Sequence, residues 1–199
     1  MTVRSEHEVV YSRWQSFCAM CLYMSFAGTI YAFNIYGELL KVELDFSQSS
    51  LSTIASIGNC GNLLGVMVGY GIERYGAKSI MMGGSVCVFT GYFYIWLAIK
   101  RYVPSSVALI TFFYFVAQMG VSCYINTALT SAIKLFPSES RGSAIGLCRA
   151  YFGLSSAVLG DLAGGIFQLY PISFVLFVSL FVPFTGKCLH CSTSSCLFS

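Results

Sequence analysis

Long apolar runs, separated by short polar or charged stretches, organise this chain. Five runs are long enough to cross a bilayer as helices, at about 14–36, 51–72, 79–99, 107–133 and 143–168. A sixth run, 172–184, would barely cross, since a helical span needs about 20 apolar residues. The first loop is predicted over Glu38 to Ser50, with Ser47 as the cap of the next helix.

This pattern predicts an all-α polytopic membrane protein of three parts. Residues 1–13 form a polar tail, 14–185 the transmembrane region, and 186–199 a cysteine-rich tail. Hydrophobic residues make up 56% of the chain and charged residues 10%, against about 25% charged in an ordinary soluble domain. The net charge of +3 is scattered, with no basic run of the kind that binds nucleic acid.

The distribution of Lys and Arg predicts the orientation. If the N-terminus is cytoplasmic, the cytoplasmic segments carry Arg4, Arg13, Arg74, Lys78, Lys134, Arg141 and Lys187, and the external loops carry Lys41, Lys100 and Arg101. Cytoplasmic loops are normally richer in these residues. An integral, multi-pass protein with both termini in the cytoplasm is therefore expected, and the sequence leaves the identity of the membrane open.

Two short charged turns connect apolar runs on the predicted cytoplasmic side. The characteristic residues of the first turn are Gly69, Glu73, Arg74, Gly76 and Lys78. Gly69 would allow close packing, and Gly76 can adopt the positive φ of a turn. The second turn contains Glu139, Arg141 and Gly142.

The spacing of the first turn resembles the signature loop of the major facilitator superfamily. It departs from that loop at Glu73, where aspartate is usual, and at Ala77, where a basic residue is common. Several stretches also resemble the nodulin-like family of this superfamily: 28–36, Ser47-Gln48, 91–98, and 136–142 followed by 151–155.

The resemblance implies a secondary carrier of small organic solutes. It implies that this chain is the N-terminal half, a six-helix bundle of two inverted three-helix repeats, and that the first turn is a conformational latch. Full-length relatives have twelve or so spans, so the chain is expected to be truncated or partial. A non-transporting truncated protein that associates with or modulates a full-length relative is the alternative.

Polar residues inside the apolar runs are candidates for the solute pathway, because polar groups are costly in a bilayer. Gln118, Ser122 and Asn126 recur every four residues and share one helix face. Their alternative role is interhelical hydrogen bonding. Arg149 could bind an anionic solute or extend to the cytoplasmic surface, and Asn126 could meet it. Asn34 and Asn59 complete the set of candidates.

Small residues at four-residue spacing predict close helix packing. Gly61 and Gly65, with Gly69, form one such strip, and Gly160 and Gly164 form another. A leucine at Gly65 is expected to disrupt the bundle more than a leucine at Gly84, which lies outside the strips.

No enzyme, metal site or cofactor is expected. The cysteines in the apolar runs are expected to fill space as small apolar side chains. The tail with Cys188, His190, Cys191 and Cys196 is expected to be an unstructured terminus. The expected partners are the lipid bilayer, a small-molecule solute, and either a second copy in a homodimer or a missing C-terminal half.

Overall fold

The computed structural model describes residues 6–28, 33–167 and 172–184, and their regular structure is entirely helical. The helices are α1 (Glu6–Ala27), α2 (Phe33–Leu44), α3 (Gln48–Asn59), α4 (Gly65–Ile99), α5 (Val107–Leu135), α6 (Arg141–Gly165) and α7 (Ile172–Phe184). A 3-10 segment, Cys60–Leu64, joins α3 to α4. By length and composition, two continuous helical stretches of the described chain could cross a membrane, Gln48–Ile99 and Val107–Leu135.

Helix ends follow local chemistry. The Ser47 hydroxyl accepts a hydrogen bond from the Ser50 amide at 3.1 Å, which confirms the predicted cap of α3. Ser106 caps α5 in the same way through the Leu109 amide at 3.3 Å. These side chains satisfy amides that have no partner inside the helix.

The predicted first loop was wrong in its extent. Helix α2 continues to Leu44, which leaves only 45–47 between α2 and α3. Charged residues at this position suggested a loop, but they are good helix formers, and Lys41 in the last turn interacts favourably with the helix dipole. Helix α1 likewise begins at Glu6, before the apolar run does. Hydropathy thus located the apolar part of these helices and not their full length.

The stretch Gln48–Ile99 reverses direction at Gly76, whose φ of 82° and ψ of 152° are non-helical. This region of conformational space is essentially restricted to glycine. A Cβ at Gly71 would lie 2.9 Å from Cδ1 of Ile80, although nine residues of straight helix span about 13 Å. The stretch is therefore a helical hairpin. Its two parts are called the first arm (48–75) and the second arm (77–99).

Both arms pack along α5, in opposite directions. In the first arm, Gly58 lies against Tyr114 and Gly65 lies beside Asn126, so the first arm runs parallel to α5. In the second arm, the residues that approach α5 run the other way, with Gly84 beside Cys123 and Gly91 beside Ala117. At about 1.5 Å per residue, each arm is long enough to cross a hydrocarbon layer of about 30 Å.

Helices α1 and α6 also run parallel. The ring of Phe17 lies 5.0 Å from that of Phe136, just before α6, and further along both helices Gly28 lies against Ser155. The start of α1, the Gly76 turn and the turn between α5 and α6 therefore lie at one end of the bundle. At the other end, the Arg101 guanidinium donates to the Glu43 carbonyl at 2.7 Å.

The glycines make unequal contributions to these contacts. A Cβ at Gly61 would lie 2.6 Å from the Phe115 carbonyl oxygen, so the first arm lies very close to α5 there. In contrast, a Cβ at Gly69, Gly160 or Gly164 would meet no described atom within 4 Å. The structure therefore gives these three glycines no packing partner within the described residues, although their spacing had predicted one.

Gly84 is as closely packed as Gly65, contrary to the expectation that a leucine at Gly84 would disrupt the bundle less. A Cβ at Gly84 would lie 2.8 Å from Cβ of Cys123 and 3.1 Å from the carbonyl oxygen of Gly120. At Gly65 the nearest atoms are the ends of the Asn126 and Ser122 side chains, at 2.8 and 3.0 Å. Side-chain ends can move aside more easily than backbone, so the expected order of disruption is reversed.

Candidate functional site

The polar face of α5 packs against the first arm. Gln118 is fully buried, Ser122 is 2% exposed and Asn126 is half-buried. Their four-residue spacing places them in a line along the contact between the two parallel helices. We call this contact, with Asn62 from the first arm, the polar seam.

Two hydrogen bonds cross the polar seam. Asn62 donates from Nδ2 to Oε1 of Gln118 at 3.4 Å, and the Ser122 hydroxyl donates to the Asn62 carbonyl at 3.2 Å. The remaining amide nitrogen of Gln118, Nε2, has no acceptor among the described residues and is buried. The seam thus combines interhelical bonds with one donor whose hydrogen-bonding capacity is unused.

Asn126 in the seam and Asn59, which lies outside it on α3, are bonded differently. Asn126 donates from Nδ2 to the Ser122 carbonyl at 2.8 Å and to the Ser122 hydroxyl at 3.3 Å, both within α5. Asn59 is exposed and accepts a long hydrogen bond of 3.5 Å from the Tyr114 hydroxyl. Tyr114 itself is fully buried.

Arg149 lies away from this seam. It is exposed on α6 and makes no hydrogen bond or ion pair with any described residue, Asn126 included. The buried side of α6 consists of other residues: Ala144, Cys148, Ser155 and Leu159. Of Asn34, the structure gives the position in α2, and its side chain lies outside the described part.

The charged side chains of the first turn are exposed. Glu73, Arg74 and Lys78 are exposed, and Glu73 forms no ion pair with a described residue. The Arg74 guanidinium lies 5.7 Å from the ring centroid of Tyr75, a cation–π distance. A carboxylate at this place is therefore free to meet a group from outside the bundle.

The second charged turn is held by backbone bonds. Arg141 donates from Nε to the Phe136 carbonyl at 3.0 Å, and the Ser140 and Arg141 amides both donate to the Pro137 carbonyl. Glu139 and Gly142 are exposed beside them. The rings of Trp14 and Phe17 pack on Phe136 at 5.5 and 5.0 Å, which attaches this turn to α1.

Comparison with known proteins gives the family. The Nodulin-like family model matches residues 13–190. The chain belongs to the Nodulin-like family. It is also 24% identical over 169 residues to "Probable transporter mch1" of Neurospora crassa. The aligned region covers 76% of this chain and 28% of that protein. This chain thus spans less than one third of that relative's length. No solved structure matches the chain significantly.

The Nodulin-like match includes both charged turns and the polar seam. Membership in the family, similarity to a probable transporter and the apolar helices indicate a membrane protein. Among the described residues, no group of three His, Cys, Asp or Glu side chains could hold a metal ion. The cysteine-rich tail lies outside the described part.

Several helix contacts of this Nodulin-like bundle were not predicted from the sequence. Gly84, Gly91 and Gly120 bring the second arm very close to α5, and the Tyr124 hydroxyl lies 2.9 Å from that of Ser85 across the same contact. A seven-residue spacing separates Gly84 from Gly91, which corresponds to two helical turns and one shared face. That spacing could have predicted that the second arm packs closely against another helix.

Proposed function

We propose that this chain is the N-terminal six-helix bundle, built from two inverted three-helix repeats, of a major facilitator superfamily secondary carrier for small organic solutes. The main structural support for this proposal is the hairpin at Gly76. It presents Glu73, Arg74 and Lys78 at the same end of the bundle as the turn with Arg141. The Nodulin-like family and the similarity to a probable transporter support the same function.

The charges at the two ends support an orientation. Arg74, Lys78, Lys134 and Arg141 belong to the end that holds both charged turns, whereas Lys41, Lys100 and Arg101 lie at the opposite end. Since cytoplasmic loops are enriched in Lys and Arg, the end with the two turns faces the cytoplasm in this proposal. Glu73 would then be the latch residue, free to contact a helix end of a second bundle.

The polar seam and Arg149 have different roles in the proposed carrier. Asn62 and Ser122 hold the first arm against α5, because their bonds cross that contact. Gln118 retains a buried donor in Nε2, which suits an acceptor atom of a solute or a water molecule. Arg149 is exposed, and its guanidinium can bind a carboxylate through two parallel hydrogen bonds.

A second bundle is required for transport by this mechanism, because alternating access consists of one bundle moving against another around a central site. Helix α6 offers a surface for it. A Cβ added at Gly146, Gly153 or Gly160 would meet no described atom within 4 Å, so this side of α6 is open. The same open surface favours the alternative function, a protein that associates with a full-length relative without transporting.

Uptake into liposomes tests the proposal. The purified chain would be reconstituted alone, as a crosslinked dimer, and together with a full-length relative, and uptake of amino acids, monocarboxylates and sugars measured. We expect saturable uptake only in assemblies with two bundles. Arg149→Ala should reduce the uptake at least tenfold, and Arg149→Lys, which keeps the charge, should reduce it less.

Two outcomes would contradict the proposal. Saturable uptake by a demonstrably monomeric chain would show that no second bundle is required. No contribution of the chain to uptake in any assembly would exclude the carrier function, and stable association with the relative would then identify the alternative.

A further inference from the structure

A cavity of about 370 Å³ lies between α2 and α3, apart from the polar seam. Its volume falls within the range of small-molecule sites. The two helices are joined by only three residues, 45–47. Phe33 at the start of α2 and Gly58 near the end of α3 both lie against Tyr114, so the helices run in opposite directions past the cavity. Its lining consists of Phe33, Gly37, Glu38, Lys41, Gln48, Leu51, Ser52 and Ala55.

The lining of this cavity carries one charge of each sign. Glu38 and Lys41 lie three residues apart on α2, and both are exposed. Neither forms an ion pair with a described residue. Gln48 and Ser52 of α3 also line the cavity and offer hydrogen-bonding groups. The carboxylate and the ammonium group are thus both available to a ligand.

The end of the cavity farther from the connecting residues 45–47 is apolar. Phe33, Gly37 and Ala55 lie farther along the chain from those residues than Glu38, Lys41 and Gln48 do. The Phe33 ring lies 5.0 Å from the ring of Tyr114, a fully buried residue of α5. A ligand therefore meets the two charges nearer the connecting residues and apolar surface at the opposite end.

We propose that this cavity binds zwitterionic amino acids with an apolar side chain. Glu38 would bind the ammonium group, Lys41 the carboxylate, and the apolar end the side chain. A monocarboxylate would leave Glu38 unpaired close to its own negative charge, and a sugar would use neither charge. This inference rests on the proposed carrier function and adds a substrate class to it.

Binding of tritiated L-leucine and L-phenylalanine to the purified full chain in lipid nanodiscs tests this site. Unlabelled leucinamide lacks the carboxylate, 4-methylpentanoate lacks the ammonium group, and glycine lacks the apolar side chain. We expect each of the three to compete at least tenfold less well than leucine. The measurement requires no transport.

Matched substitutions locate the binding. Glu38→Gln and Lys41→Gln should each weaken leucine binding at least tenfold. Glu43→Gln, on the same helix but outside the cavity lining, should leave it unchanged. All three positions are at least partly exposed, so the fold should persist, and circular dichroism checks it.

The outcomes separate this site from the carrier function. Absence of saturable binding of both amino acids, equal binding of 4-methylpentanoate, or unchanged binding in the Glu38 and Lys41 variants would overturn the inference. Uptake of another solute without leucine binding would overturn the site and leave the carrier function intact. Leucine binding with no uptake in any assembly would support the site and contradict the carrier function.

Discussion

Asn62 of the first arm donates a hydrogen bond to Oε1 of the fully buried Gln118 of α5 at 3.4 Å. This bond joins two parallel helices at a place where Gln118 has no other described partner. Replacement of Asn62 would leave the whole Gln118 amide buried and unsatisfied, and such groups cost about 1–3 kcal/mol.

We therefore expect Asn62→Leu to lower the free energy of unfolding in detergent by about 1–2 kcal/mol. Asn59→Leu is the control, because Asn59 is exposed and accepts only a 3.5 Å bond. It should cost less than about half as much. Equal losses in the two variants would show that the Asn62–Gln118 bond contributes nothing specific.

The contact between the second arm and α5 predicts a contrast between adjacent glycines. Gly84→Ala should destabilise the protein by about 1–3 kcal/mol, because the added methyl group would lie 2.8 Å from Cβ of Cys123. A Cβ at Gly83 would meet no described side chain or neighbouring helix within 4 Å, so Gly83→Ala should be neutral or stabilising by up to about 1 kcal/mol through helix propensity. Thermal unfolding of both variants in the same detergent measures this, and a destabilised Gly83→Ala protein would refute it.

The conformation of Gly76 predicts that no other L-residue replaces it well. Its φ of 82° is combined with a ψ of 152°, which differs from the left-handed helical region that asparagine tolerates. Gly76→Ala and Gly76→Asn should therefore both cost about 1–3 kcal/mol. Gly69→Ala, at an open helical position, is the control and should cost nothing. Rescue by asparagine, measured by unfolding, would show that the turn is of a different type.

Some of this fold was predictable because single residues carry strong local preferences. The positive φ of Gly76 and the cap at Ser47 were both predicted from residue type and are present in the structure. The start of α5 was also predicted, because Pro104 precedes an abrupt change in hydropathy. These features depend on a few neighbouring residues.

The identity of neighbours across helices could not be predicted in the same way. Four-residue spacing shows that Gly61, Gly65 and Gly69 share a face, but the contact with α5 ends before Gly69. The same limit applies to the candidate site. The sequence placed Gln118, Ser122 and Asn126 on one face, yet which helix that face meets depends on packing. Arg149 and Asn126 were near each other only in predicted depth, and no hydrogen bond joins them.

Cysteine accessibility tests whether the two charged turns lie together at the cytoplasmic end of a membrane bundle. Single variants Ala77→Cys and Ser138→Cys report on the two turns, and Tyr102→Cys reports on the opposite end. The parent chain gives the background from native cysteines.

With a membrane-impermeant thiol reagent on intact cells, we expect labelling above background at Tyr102→Cys alone. Ala77→Cys and Ser138→Cys should be labelled only after permeabilisation. Labelling of either turn from outside intact cells, or of Ala77→Cys and Ser138→Cys from opposite sides, would show that the two turns do not share a cytoplasmic end.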